Sequence, residues 1–281
     1  MKKIAEGRTA DIFEQETGKI VKLYRRYMDV QSIQYEYAVN QVVGAFDLAA
    51  PKAYELLEAE QRRGIVFERV EGETMLSLII RQPGEMNRLA AQFAKLQNRI
   101  HRYEVEVEVE AGTGGKRGIL KQKELLKRHI NSTPLLSEQV KNEILEQLEQ
   151  LPDGNRLCHG DYHPDNVMFG EQSWVIDWMN GTVGQPAADV ARTVLLIRHG
   201  ALPDDAPSDV IEAIQHMREN IISIYLEHYL QVSGLQQAEI DQWLLPVAAA
   251  RLAEGQPEQE QKQILGLVDR LLAESRLRAR L

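Results

Sequence analysis

Along residues 1–70, apolar and polar positions alternate in short runs, whereas from Thr74 onward apolar positions recur every three or four residues. The first pattern predicts strands and the second helices. Residues 12–15 and 19–24 flank Glu16-Thr17-Gly18, a hairpin signature, and residues 53–57 and 64–68 share the strand character. One helical stretch, residues 31–46, interrupts them. In the 19–24 strand a period of two places Ile20, Lys22 and Tyr24 on one face and Val21 and Leu23 on the other. Lys22 therefore has apolar neighbours on its own side. An ammonium enclosed there needs an anion, because burying it unpaired is costly. The helical stretch offers one acidic residue, Glu36, on a stripe with Ile33 and Val43.

The helical part begins with residues 75–81 and 85–102, where Leu89, Phe93, Leu96 and Ile100 mark a core-facing stripe. A strictly alternating run, residues 105–110, leads into a Gly-rich segment, residues 111–118, and predicts an exposed connection with a short edge strand. The segment invites comparison with a phosphate-binding P-loop. It is not one, since Glu110 stands where the first Gly is required and Arg117 where Ser or Thr would meet magnesium. Ser137 is placed to cap an amphipathic helix running through Val140, Ile144 and Leu148 to Leu151, and Pro152-Asp153-Gly154 makes a sharp turn. Further helices are predicted over residues 186–199, 208–231, 236–254 with a kink at Pro246, and 257–276.

Between that turn and these helices, two short apolar strands carry acids and an amide at their ends. The first stretch holds His159-Gly160-Asp161 and, five residues after Asp161, Asn166; the second ends in Val175-Ile176-Asp177-Trp178. Gly170-Glu171-Gln172-Ser173 can fold the two into a hairpin that brings Asn166 and Asp177 together. Phosphoryl transfer needs such a set: a carboxylate to orient and deprotonate a hydroxyl, then an amide and a second carboxylate as hard oxygen ligands for magnesium. The Asp-x-x-x-x-Asn spacing equals that of the kinase catalytic loop, with His-Gly-Asp in place of His-Arg-Asp. Taken singly, each residue is an ordinary turn former; their conjunction points to the chemistry. With Asp161 in the base position, His159 is expected to hold the loop through hydrogen bonds, while His163 fits either role.

A chain of 281 residues exceeds the usual size of one hydrophobic core, so two lobes are expected. No run approaches the roughly 18 apolar residues of a membrane span, and the N-terminus turns acidic at Glu6 before any secretory apolar region develops. A cytoplasmic location is expected. Cys158 is the single cysteine, permits no intrachain disulfide, and sits in an apolar strand as core filler. A net charge of −9 argues against a nucleic-acid partner and is compatible with a cationic substrate.

With His159-Gly160-Asp161, Asn166 and Ile176-Asp177-Trp178 all present, the chain resembles the aminoglycoside phosphotransferase family of kinase-like small-molecule phosphotransferases. The resemblance covers nearly the whole chain and is most specific over residues 157–192. There, residues 184–192 are similar to the family's Gly-Asp-Pro-x-x-Asp-Leu-Ala segment, with Gln185 replacing an acid. It implies an α+β, protein-kinase-like bilobal fold. Residues 1–70 would be a small antiparallel-sheet lobe with one helix that binds nucleotide, and residues 71–281 a mostly helical lobe with the catalytic loop and acceptor pocket. It implies ATP- or GTP-dependent transfer of the γ-phosphate to a small-molecule hydroxyl with Mg2+. Lys22 would hold the α/β-phosphates and Glu36 would position it. Gly7, Arg8 and Thr9 would cover the phosphates through their backbone, although this loop has one Gly where protein kinases have three. Main-chain groups around Glu68 and Val70 would meet the purine edge. Asp161 would be the base, Asn166 and Asp177 the magnesium ligands, and Asp189 a brace for the loop. An aminoglycoside is the default acceptor; choline, homoserine, a sugar or another metabolite is the alternative. Asp204, Asp205, Asp241 and Glu254 could meet a cationic acceptor, with Trp243 lining its side. A nucleotide-binding regulatory protein without turnover is a further alternative, opposed by the intact set of Lys22, Asp161, Asn166 and Asp177.

Overall fold

The structure, a computed structural model, describes residues 2–106, 118–201 and 207–278. The expected edge strand and Gly-rich segment fall largely outside these residues, as do Asp204 and Asp205. At the N-terminus, β1 (Lys2–Glu6), β2 (Ala10–Glu14), β3 (Lys19–Tyr24), β4 (Ala53–Ala59) and β5 (Arg62–Glu68) form one antiparallel sheet in the order β1-β2-β3-β5-β4. β1 escapes the apolar-polar pattern because every one of its residues is exposed, which leaves no alternation to read. Helix α1 (Val30–Val43) starts where the Asp29 carboxylate accepts the Ser32 amide proton at 3.2 Å and ends at Gly44. The strand periodicity holds in three dimensions. Ile20, Tyr24, Ile65 and Phe67 pack with Ile33 of α1, and Val21, Leu23 and Val66 pack with Phe13 and Leu57 on the other face. Lys22 thus lies beneath α1, the helix that carries Glu36.

The remainder is mostly helical: α2 (Met75–Arg81), α3 (Met86–Ile100), α4 (Gln122–Ser132), α5 (Glu138–Gln150), α6 (Pro186–His199), α7 (Ser208–Ser233), α8 (Gln237–Arg251) and α9 (Glu258–Arg278). α2 and α6 keep the expected bounds, Ser137 caps α5 by accepting the Val140 amide proton, and α8 runs through Pro246 without ending. α4 is an addition. Its buried apolar residues are Leu126 and Ile130 amid a polar sequence, too narrow a stripe to announce a helix. Among these helices lie two small sheets: β6 (Glu73–Thr74) with β8 (Val167–Phe169) and β9 (Ser173–Val175), and β7 (Arg156–Cys158) with β10 (Thr182–Gly184). The main core includes Phe93, Tyr162, Trp178, Tyr225 and Trp243, with Phe93 stacked on Tyr162 at 4.3 Å between ring centroids.

The segment after α1 ties the sheet to the helices. Arg99 and Tyr103 both donate to the Asp47 carbonyl, at 2.6 and 3.0 Å, and the Val175 amide donates to the Ala49 carbonyl at 2.7 Å. From α1 itself, Tyr35 donates to the Gly181 carbonyl at 2.5 Å and Val39 enters the main core. These joints fix Glu36 relative to the hairpin that carries Asp177.

Candidate active site

The loop after β7 is shaped by one glycine and one buried acid. Gly160 has φ of 74°, and a Cβ there would fall 2.0 Å from the Asn180 carbonyl oxygen, so no other residue fits without displacing the chain. Asp189, in the first turn of α6, accepts the amide protons of His159 and Gly160 at 3.1 and 2.8 Å. It also takes hydrogen bonds from Gln97 and His101, each at 3.0 Å. Burial would raise the pKa of this carboxyl, but the His101 and Gln97 contacts outweigh it and hold the group at about 2. Asp189 thereby braces the loop. His159 is buried; its Nε2–H donates to the Ile176 carbonyl at 3.0 Å and its Nδ1 accepts the Asp161 amide proton at 3.2 Å. Burial lowers its pKa, which keeps the imidazole neutral in this bridging role.

Asp161 faces a mixed environment. Asn166 donates from Nδ2 to the Asp161 carbonyl at 2.8 Å and lies 3.4 Å from its Oδ2. His163 Nε2 stands 3.6 Å from Oδ2, and Arg192 is 3.9 Å from Oδ1. Burial would favour the protonated carboxyl, but His163 and Arg192 prevail and hold it well below the usual carboxylate range. Arg192 donates from Nε to the Gly160 carbonyl and grips Glu254 with both terminal nitrogens, at 2.7 and 2.9 Å. Glu254 also receives Arg251 at 2.6 Å, and Arg251 pairs with Glu260 at 2.8 Å. A ladder of alternating charge therefore runs from the catalytic loop into the start of α9.

The β8–β9 hairpin aligns Val167 with Val175, and the Ile176 amide donates to the Asn166 carbonyl at 2.9 Å, which places Asn166 and Asp177 side by side. Asp177 adopts a left-handed backbone, φ 63° and ψ 68°, a conformation that costs a non-glycine residue on the order of 1 kcal/mol or more. Its Oδ1 receives Lys22 Nζ at 2.8 Å, and the same ammonium reaches Glu36 Oε1 at 2.7 Å. Tyr24 donates to the other Glu36 oxygen at 2.6 Å. Burial disfavours the ammonium, but Asp177 and Glu36 together keep Lys22 protonated.

The structure thus brings together Lys22, Glu36 and Asp177 directly, and Asp161 with Asn166. Gly7, Arg8 and Thr9 form the turn between β1 and β2: the Gly7 amide donates to the Ala10 carbonyl at 2.8 Å, the Arg8 carbonyl accepts from Tyr27 at 2.7 Å, and the Thr9 carbonyl accepts from the Arg25 amide at 2.8 Å. Glu68 ends β5, its amide donating to the Lys52 carbonyl at 2.8 Å, and Val70 lies just beyond with an amide that none of the described residues engages. Among the described residues no hydrogen bond or ion pair joins these five to Lys22, Asp161 or Asp177.

Two expectations are corrected. Trp243 is 2% exposed inside the main core and lines no acceptor pocket. Glu254 is taken by two arginines and is not free for an acceptor. Asp241, by contrast, stays exposed and accepts from Gln237 at 2.8 Å. Gln185, which replaces the family's acid, donates from its amide nitrogen to the Asp153 carbonyl at 2.6 Å, a bond that acid could not make in ionised form. Sequence reasoning missed Arg192, although its position three residues after Asp189 on a helix places both on one face. Cys158 is fully buried with its thiol pushed up by burial, in keeping with a core filler.

Among solved structures, the fold is similar to a thermostable mutant of aminoglycoside phosphotransferase APH(4)-Ia in ternary complex with ADP and hygromycin B, with TM-score 0.64 and 15% identity over 97% of this chain and 92% of that one. It is similar to aminoglycoside-3'-phosphotransferase of type VIII, with TM-score 0.61 and 16% identity over 90% of each chain. It is also similar to choline kinase from Cryptosporidium parvum, with TM-score 0.56 and 15% identity over 98% of this chain and 88% of that one. At such identities the likeness is one of fold. No curated protein sequence matches the chain. The sequence pattern of the phosphotransferase enzyme family matches residues 1–220, and the chain belongs to that family.

Proposed function

We propose that the protein transfers the γ-phosphate of ATP, or of GTP, to a hydroxyl group of a small molecule. One observation carries this above all: Lys22 is held between Glu36 and Asp177 while the same hairpin joins Asp177 to Asn166 and Asp161. Residues 1–70 would serve as the nucleotide lobe, with Lys22 on the α/β-phosphates, Gly7, Arg8 and Thr9 over them, and the Glu68 and Val70 backbone at the purine edge. Residues 71–281 would carry the catalytic loop and acceptor pocket. The relative bound to ADP and hygromycin B supports a purine nucleotide as phosphate donor. Relatives named for aminoglycosides and choline support a small hydroxyl-bearing acceptor.

Asp161 takes the proton of the attacking hydroxyl. A carboxylate held so low is a weak base, which suits a loose phosphoryl-transfer transition state in which orientation outweighs proton abstraction. Lys22 stays charged throughout and keeps its direction through Glu36 and Tyr24. The donor set fits magnesium: Asn166 turns its amide nitrogen to Asp161, leaving its amide oxygen, and Asp177 is a partly exposed carboxylate. Magnesium held by these two would neutralise charge on the phosphate oxygens. Among the described residues no helix is long and apolar enough to cross a membrane. With a lone buried thiol, the chain suits a reducing compartment, and we place it in the cytoplasm.

A nucleotide-consumption assay across hydroxyl acceptors tests the function; consumption that no acceptor stimulates would count against it. For the metal, Asp177→Ala is expected to weaken magnesium-dependent nucleotide binding more severely than Asn166→Ala, because a carboxylate is the stronger hard ligand. Calorimetric titrations showing the same magnesium dependence in both variants would remove that assignment.

A further inference from the structure

The base is only as well placed as the peptide that leads into it. That peptide unit has two polar groups, the Gly160 carbonyl and the Asp161 amide, and both are taken. The Asp161 amide donates to His159 Nδ1 at 3.2 Å, and the Gly160 carbonyl accepts from Arg192 Nε. One residue earlier, the Gly160 amide is held by Asp189 at 2.8 Å. Asp189 and Arg192 stand three positions apart on α6, so one face of that helix grips the loop on both sides of Gly160. A peptide held at both polar groups resists rotation, and the direction of the Asp161 side chain is fixed with it.

The rest of the Arg192 guanidinium is equally engaged. Its two terminal nitrogens donate to the two Glu254 oxygens at 2.7 and 2.9 Å, the parallel pair that a planar fork favours. Glu254 lies between α8 and α9 and is itself held: Arg251 donates to it at 2.6 Å and is anchored on Glu260 through two nitrogens, at 3.0 and 2.8 Å. The Arg192 and Glu254 side chains are 12% and 17% exposed, and charges so enclosed are screened little by solvent ions. Among the described residues no hydrogen bond or ion pair joins Arg192 to Lys22, Glu36 or Asp177. Resting on the phosphotransferase reading above, we propose that Arg192 is a positioning residue for the catalytic base: it fixes the Gly160–Asp161 peptide, and Glu254 is the clamp that aims it. Arg192 also stands 3.9 Å from Asp161 Oδ1, and a lysine separates charge from grip, since it keeps the charge and loses the fork.

The test is ADP release by the full chain with magnesium-ATP and a panel of aminoglycosides, amino alcohols, monosaccharides, polyols and hydroxy amino acids, followed on the member that the wild type turns over fastest. Arg192→Lys is expected to lower kcat about tenfold and leave the KM for ATP unmoved. Glu254→Gln, which keeps the shape of the clamp, should lower kcat about threefold, and the double variant should be no slower than Arg192→Lys, because Glu254 acts through Arg192. Arg198→Lys is the control: it loosens a two-bond pair with Glu219 on the same helix, out in solvent, and should keep the wild-type kcat. Urea midpoints identify the folded variants; if Arg192→Lys does not fold, Glu254→Gln decides alone. A readout that needs no acceptor is hydrogen exchange at the Asp161 amide, which should be about tenfold faster in Arg192→Lys, or in Glu254→Gln in its place. Unchanged exchange, an unchanged kcat, effects that multiply in the double variant, or an equal fall in Arg198→Lys would each overturn the positioning role and leave the phosphotransferase reading standing. No ADP release by the wild type on any member of the panel would overturn both.

Discussion

Asp161→Asn is expected to lower kcat by about 10²-fold or more while nucleotide affinity stays nearly unchanged. The substitution preserves shape, so the Asn166 bond to the Asp161 carbonyl and the His159 bond to its amide can persist. It removes the oxygen that receives the hydroxyl proton, a contribution made mainly in the transition state. Steady-state kinetics together with nucleotide titration separate the two effects, and equal turnover in wild type and variant would remove Asp161 from the mechanism. The low carboxyl pKa adds a pH signature. Because His163 and Arg192 keep Asp161 ionised against the opposing effect of burial, protonation of the base should not limit the wild-type rate near the usual carboxylate range.

The largest expected loss of stability is at Asp189. Removing this side chain leaves the amide groups of His159 and Gly160, the Gln97 amide and the His101 ring short of their shared acceptor in a fully enclosed site. Asp189→Ala should cost about 3–5 kcal/mol, in the range for breaking a buried charged network, read as a shift of the urea unfolding midpoint. Activity should fall with it, since the same bonds hold Gly160 and hence Asp161. A stability change under about 1 kcal/mol would mean the network relaxes around the loss. The linkage sign is that of a depressed acid. A carboxyl moved from its ordinary 3.8 to about 2 contributes about 2 kcal/mol above pH 4, and that contribution disappears as pH falls toward 2. In Asp189→Asn this part of the acid dependence should be absent.

Much of the fold could be read from local pattern. Period-two alternation in β3 set the direction of Lys22, and helical spacing set that of Glu36, because side-chain direction follows directly from the geometry of each element. The hairpin between Asn166 and Asp177 was visible for the same reason: two short apolar runs and a four-residue connection fix which residues end up adjacent. β1 and α4 were not visible, one having no buried face and the other only a thin one.

The sequence by itself determined the type of fold and the set of chemical groups at the catalytic loop, since both depend on residue type and on spacings of a few positions. Tertiary structure alone decided how those groups are restrained and what surrounds them. Lys22 meets Asp177 across 155 residues, and Arg192 meets Glu254 across 62, contacts that no short-range periodicity encodes. Glu254 looked like a free acid on a C-terminal helix and is a half-buried partner of two arginines; Trp243 looked like a pocket wall and is core. Whether a charge is available to a ligand depends on what else has folded against it, and only the packed chain settles that.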